Sequence, residues 1–200
     1  MTALNRFLSR LGEWGLPFFK LLKRQDKFEW TTEATEALEN LKHHLQSPPI
    51  LTAPLLGDRQ LLYIAVTTHV VSIAIVVEHP EEGHAYGVQR PVYFISKVLS
   101  ESKVRYSSIQ KILYGILITS RKLHHYFDEY KISVVTNFPL ADILHNRDAT
   151  GRISKWAVEL GALEIKFKRR TATNCQALVY FLAEWRENQV PHLLTFPRTW

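Results

Sequence analysis

The chain has 200 residues, 46% of them hydrophobic and 12% aromatic, enough apolar surface for one packed domain with a smaller attachment and too much for wholesale disorder. With 25 Lys and Arg against 19 Asp and Glu, the formal charge is +6, which suits either a polyanionic partner or a solvated basic surface. The single cysteine, Cys175, excludes an internal disulfide, fits a reducing compartment, and has no recognisable base beside it.

Residues 1 to 30 read as an amphipathic helix and its exit, with Leu4, Phe7, Leu8 and Leu11 at helical spacing. Gly15 and Pro17 break that pattern. A second helix is expected from about Thr32 to Gln46, capped by Thr31 or Thr32 and striped by Ala34, Leu38, Leu41 and Leu45. Ser47-Pro48-Pro49 ends it, because proline cannot continue the ladder. His43 and His44 fall on different faces of that helix and read as solvated. Pro54 to Gln60 reads as a boundary with a turn at Gly57-Asp58.

The organising stretch is Leu61 to Val77, two runs rich in β-branched residues joined at Thr67-Thr68-His69. Runs this apolar suit central strands covered on both faces. No carboxylate lies between Leu61 and Val77. Arg90 to Ser96 reads as a third strand, and a long helix is expected from Ser107 to Phe127. Its stripe is Ile109, Ile112, Leu113, Ile116, Leu117, Ser120 and Leu123. A strand at Lys131–Thr136, a short helix after Pro139, a helix at 150–160, a strand at Leu163–Lys168 and a last helix at Asn174–Arg186 follow. No signal-peptide pattern opens the chain and no apolar run approaches the roughly 20 residues of a membrane span, so an intracellular protein of cytoplasm or nucleus is expected.

Arg90 to Leu99, Arg105-Tyr106, Val135 to Leu140 and Thr150 to Leu160, taken in this order, resemble the RNase H-like domain of Ty3/gypsy retrotransposon reverse transcriptases, most closely those of plants. Leu4 to Leu11, Leu16 to Leu22 and Phe28-Glu29-Trp30 resemble the thumb-to-connection segment that follows the polymerase palm. The resemblance implies an α/β, RNase H-like fold: a five-stranded mixed sheet with flanking helices, preceded by a small helical connection segment. The expected division is 1–55 for that segment, 56–190 for the RNase H-like domain and 191–200 for a tail.

Active members of that family hold two Mg²⁺ ions with four carboxylates, because two hard cations close together demand anionic oxygen. Carried over residue by residue, the four acid positions are Ala65, Ile112, Asn137 and Tyr180. Neither aliphatic residue offers an oxygen ligand, and Asn137 offers one without charge. The resemblance therefore implies a pseudoenzyme, a reverse-transcriptase-derived connection or binding module with no catalytic residue and no cofactor. Mg²⁺ would matter only if that reading fails.

Lys166, Lys168, Arg169 and Arg170 leave a strand with Phe167 among them, and Arg121 and Lys122 close the long helix. These six are the candidate nucleic-acid-binding cations, with a solvated strand end as the plainer alternative. The expected partners are an RNA/DNA hybrid, or the polymerase and RNase H domains of the same polyprotein. The competing readings are an active RNA/DNA hybrid ribonuclease and a host-captured protein-interaction fragment.

Overall fold

The computed structural model describes residues 3–23, 28–46, 51–80, 87–146 and 151–169. Five strands form one sheet: β1 (Arg59–Val66), β2 (Val70–His79), β3 (Val88–Val98), β4 (Lys131–Val135) and β5 (Ile165–Lys168), in the spatial order β3-β2-β1-β4-β5. The β1–β2 and β2–β3 pairs are antiparallel, whereas β1–β4 and β4–β5 are parallel. This is the five-stranded mixed sheet that the resemblance implied. The leading hairpin turns at Thr67–His69, as its polar residues predict, and Thr67 N–H donates to Val70 O at 2.9 Å. On the edge strand β3, the register slips where Ile75 faces Tyr93 and Val76 faces Pro91. Proline is tolerated at such an irregularity, having no amide to give the ladder.

Alternation along β1 sorts the core into two layers. Leu62 and Val66 join Ile73, Ile75, Ile132 and Val134 in the larger cluster. Over that face lies α5 (Ser108–Lys122), which brings Ile112, Leu113, Ile116 and Leu117. Leu61, Tyr63 and Ala65 join Ala74, Val76, Phe94 and Val135 in a separate cluster. The capping box of α5 is complete: Ser107 Oγ accepts from Gln110 N–H at 3.3 Å and Gln110 Oε1 accepts from Ser107 N–H at 3.2 Å. Gly115 lets α5 approach closely, since a Cβ there would sit 2.9 Å from Val71 Cγ1. The remaining helices are α1 (Leu11–Trp14), α2 (Leu16–Lys23), α3 (Thr32–Gln46), α4 (Glu101–Val104), α6 (His124–Glu129), α7 (Leu140–His145) and α8 (Gly151–Gly161).

Three details differ from the sequence expectation. The single long helix at 107–127 is two: α5 closes at Leu123, whose ψ of 40° leaves the helical region, and α6 restarts from it. Burying Leu123 and Phe127 together under the sheet favours that break over a straight continuation. The first 30 residues hold a 3-10 turn at Ala3–Arg6 and the short helices α1 and α2 rather than one helix. Pro17 stands in the first turn of α2, where its missing N–H has no helical acceptor to lose. His44 is not simply solvated: its ring stacks on Trp14 at 3.8 Å and 3°. Leu8, Leu11 and Leu41 bury one another and join the N-terminal segment to α3. The last helix expected at 174–186, Cys175 and the 191–200 tail lie outside the described residues.

Candidate functional site

Ala65 stands on β1 with 5% of its surface exposed, inside the smaller apolar cluster. Strand register places it opposite Ser72, and Ser72 opposite Ser96. The two serine hydroxyls meet at 2.9 Å, and Ser96 Oγ also accepts from Gly12 N–H at 2.9 Å. Asn5 clamps the Ser96 backbone from both sides, donating to its O at 3.0 Å and accepting from its N–H at 2.8 Å. The N-terminal segment is thus fastened to the serine row beside Ala65. No side-chain oxygen issues from the Ala65 position itself.

Ile112 belongs to the other cluster, 4% exposed on α5. Asn137 is exposed just after β4. There the chain is held by Thr136 N–H donating to Lys168 O at 3.0 Å. Ala65 and Ile112 therefore pack on different faces of the sheet, and of the three positions only Asn137 offers a side-chain oxygen. This donor set does not fit a pair of hard divalent ions. Among the described residues no group of three or more His, Cys, Asp or Glu is placed to hold a metal. Tyr180 and Arg170 lie outside the described residues.

The expected basic residues fall into two groups. Lys166 and Lys168 are exposed on β5, on the face shared with Val135, and Arg169 follows them. Lys122 lies by the opposite edge strand, its ammonium 5.6 Å from the ring of Tyr93 on β3. Arg121 is already engaged, donating Nε and Nη2 to Glu159 Oε1 and Oε2 at 2.6 and 2.7 Å. That bidentate bond lowers the Glu159 pKa and raises that of Arg121. The five described cations, Lys166, Lys168, Arg169, Arg121 and Lys122, do not form one continuous face.

One residue escaped the sequence reading. Lys111, next to Ile112, is only 7% exposed. Its ammonium donates to the carbonyls of Thr67 at 3.1 Å and Thr68 at 2.9 Å, tying α5 to the β1–β2 turn. Burial pushes its pKa below the ordinary lysine value. Lys111, Thr67, Thr68, His69 and Ser108 line a cleft of about 570 Å³, closed on the other side by Arg10, Glu13 and Trp14. Arg10 is paired with Glu13 and adopts a left-handed backbone, φ 56°. The available signal was a lysine interrupting an apolar stripe one turn from the helix start, facing a turn rich in polar residues.

The sheet order and the crossing of α5 over β1 and β2 define an RNase H-like fold. The chain belongs to the family described as the RNase H-like domain found in reverse transcriptase, whose model matches residues 30–134. It is similar to the Transposon Tf2-3 and Tf2-4 polyproteins of Schizosaccharomyces pombe, each 25% identical over 154 residues, covering 77% of this chain. The chain spans 11% of the length of those relatives. Among solved structures it resembles a foamy viral protease-reverse transcriptase in complex with RNA/DNA hybrid, with a TM-score of 0.68, 16% identity, 99% of this chain covered and 26% of that one. It also resembles that enzyme in complex with dsDNA, with a TM-score of 0.67, 16% identity, 86% of this chain covered and 36% of that one. Among the described residues no helix is long and apolar enough to cross a membrane.

Proposed function

We propose that this chain is a non-cleaving RNase H-like module of a Ty3/gypsy-type, plant-like retrotransposon polyprotein, acting as a connection that holds a nucleic-acid duplex or a neighbouring polyprotein domain. In this reading residues 1–55 are the connection-like segment, 56–190 the RNase H-like domain and 191–200 a tail. One observation carries it: Ala65 and Ile112, which the resemblance aligns with acid positions of the family, are packed apolar side chains. Hydrolysis of a phosphodiester by two metals needs anionic oxygens to hold them, and neither residue can supply one. The foamy viral relative was solved with an RNA/DNA hybrid, which makes a hybrid the first ligand to try. Lys166, Lys168 and Arg169, exposed on and just after β5, would make sequence-independent phosphate contacts.

The test is incubation of a labelled RNA/DNA hybrid with the full chain, in Mg²⁺ and in Mn²⁺. We expect intact RNA together with binding that weakens as salt rises. Metal-dependent cleavage lost in Asp142→Asn would restore the ribonuclease reading. Absence of salt-dependent binding would favour a protein-interaction fragment.

A further inference from the structure

The cleft beside Ile112 has a chemistry of its own. Three of its lining residues are cationic or can become so, Arg10, His69 and Lys111, against one carboxylate, Glu13, which is paired with Arg10. Among the described residues the Lys111 ammonium has two carbonyl acceptors, which leaves one of its three N–H bonds for a further partner. Ser108 adds a hydroxyl in the first turn of α5, where the dipole of this 15-residue helix favours an anion. A buried lysine is costly, and two carbonyls compensate only part of its desolvation. An anion entering the cleft would complete the compensation.

Topology puts this cleft where it can serve a chain of phosphates. β1, β4 and β5 are parallel, so the Thr67–His69 turn, Asn137 and Arg169 all emerge at one end of the sheet. Open α/β sheets bind ligands outside the carboxyl ends of their strands. β1 continues from Tyr63, which faces Val135, to Val66, three residues further, or about 10 Å. Two strand spacings add about 10 Å sideways, which puts the end of β1 about 14 Å from Lys168 within the sheet. At a rise of about 3.4 Å per nucleotide, that is the reach of about four nucleotides.

We infer that the Lys111 cleft is a metal-independent binding site for a nucleic-acid phosphate, with Lys111, Ser108 and His69 as its donors, on one backbone track with Lys168 and Arg169. A fixed protein cation thus does at this sheet end the holding that bound metal ions would do in a carboxylate-bearing relative. The inference rests on the proposed nucleic-acid role and deepens it.

The experiment titrates the full chain with a short labelled RNA/DNA hybrid in EDTA, for the wild type, Lys111→Met, His69→Glu and the pair Lys166→Gln/Lys168→Gln. Because Lys111→Met removes a buried tether, its fold is checked by circular dichroism. His69→Glu, on an exposed turn, perturbs the cleft without entering the core. We expect the wild type to bind without metal, and both cleft variants to weaken binding by about tenfold with a salt slope smaller by about one. Wild-type affinity in folded Lys111→Met and in His69→Glu, with loss in the strand pair, would overturn the cleft and leave the duplex-binding role standing. Binding only with Mg²⁺ would also overturn it. No binding by the wild type in any condition would sink both.

Discussion

Arg121 and Glu159 meet through two parallel hydrogen bonds at 2.6 and 2.7 Å, tying α5 to α8 over the larger apolar layer. The pair is well exposed, with 60% and 40% of the two side chains accessible, so solvent screens most of its strength. Replacing Arg121 with Ala should cost about 0.5 kcal/mol in urea unfolding. The Glu159 pKa is depressed in the fold. Its contribution is therefore present above the ordinary glutamate value and fades as pH falls through the lowered one. Glu159→Gln should remove that part of the acid sensitivity, read as a smaller stability loss on acidification.

Lys111 behaves in the opposite sense. Its pKa is lowered by burial, so between the folded value and the ordinary one near 10.5 the unfolded chain binds more protons. Stability attributable to Lys111 should rise with pH through that window. Comparing wild type with Lys111→Met by tryptophan fluorescence in urea, at neutral pH and at pH values approaching 10.5, should show the difference shifting toward the wild type on the alkaline side. A pH-independent difference would mean the ammonium pays no desolvation cost.

Restoring acids should not restore chemistry. Ala65→Asp places a carboxylate in the buried apolar cluster of Leu61, Tyr63, Ala74 and Phe94, where Ala65 itself is only 5% exposed. The expected loss is about 3 kcal/mol or more, seen as a lowered urea midpoint. Ile112→Glu enters the opposite layer and should destabilise independently, because the two sites share no apolar cluster. We expect no hybrid cleavage from the double variant.

Gly115→Ala tests the closeness of α5 to the sheet. The added Cβ would stand 2.9 Å from Val71 Cγ1 and 3.4 Å from Ile64 Cγ2, both on stiff β-branched side chains. Overpacking of about 1–3 kcal/mol should outweigh the gain of up to about 1 kcal/mol in helix propensity. Thermal unfolding should therefore show a lower Tm than wild type.

Much of this molecule is set by local pattern. Continuous β-branched runs mark β1 and β2, near-3.6 spacing of apolar residues marks α3 and α5, and polar residues at Thr67–His69 mark the hairpin, because these features act over a few residues of chain. The sequence alone also determines that Ala65 and Ile112 carry no carboxylate, since side-chain chemistry needs no coordinates. Only the tertiary structure decided that those two positions pack on opposite faces of the sheet, that Arg121 is spent on Glu159, and that Lys111 reaches two carbonyls more than 40 residues away in sequence. The reason is physical: burial, pairing and the direction of a charged side chain depend on which distant segments arrive beside it, and periodicity carries no record of them.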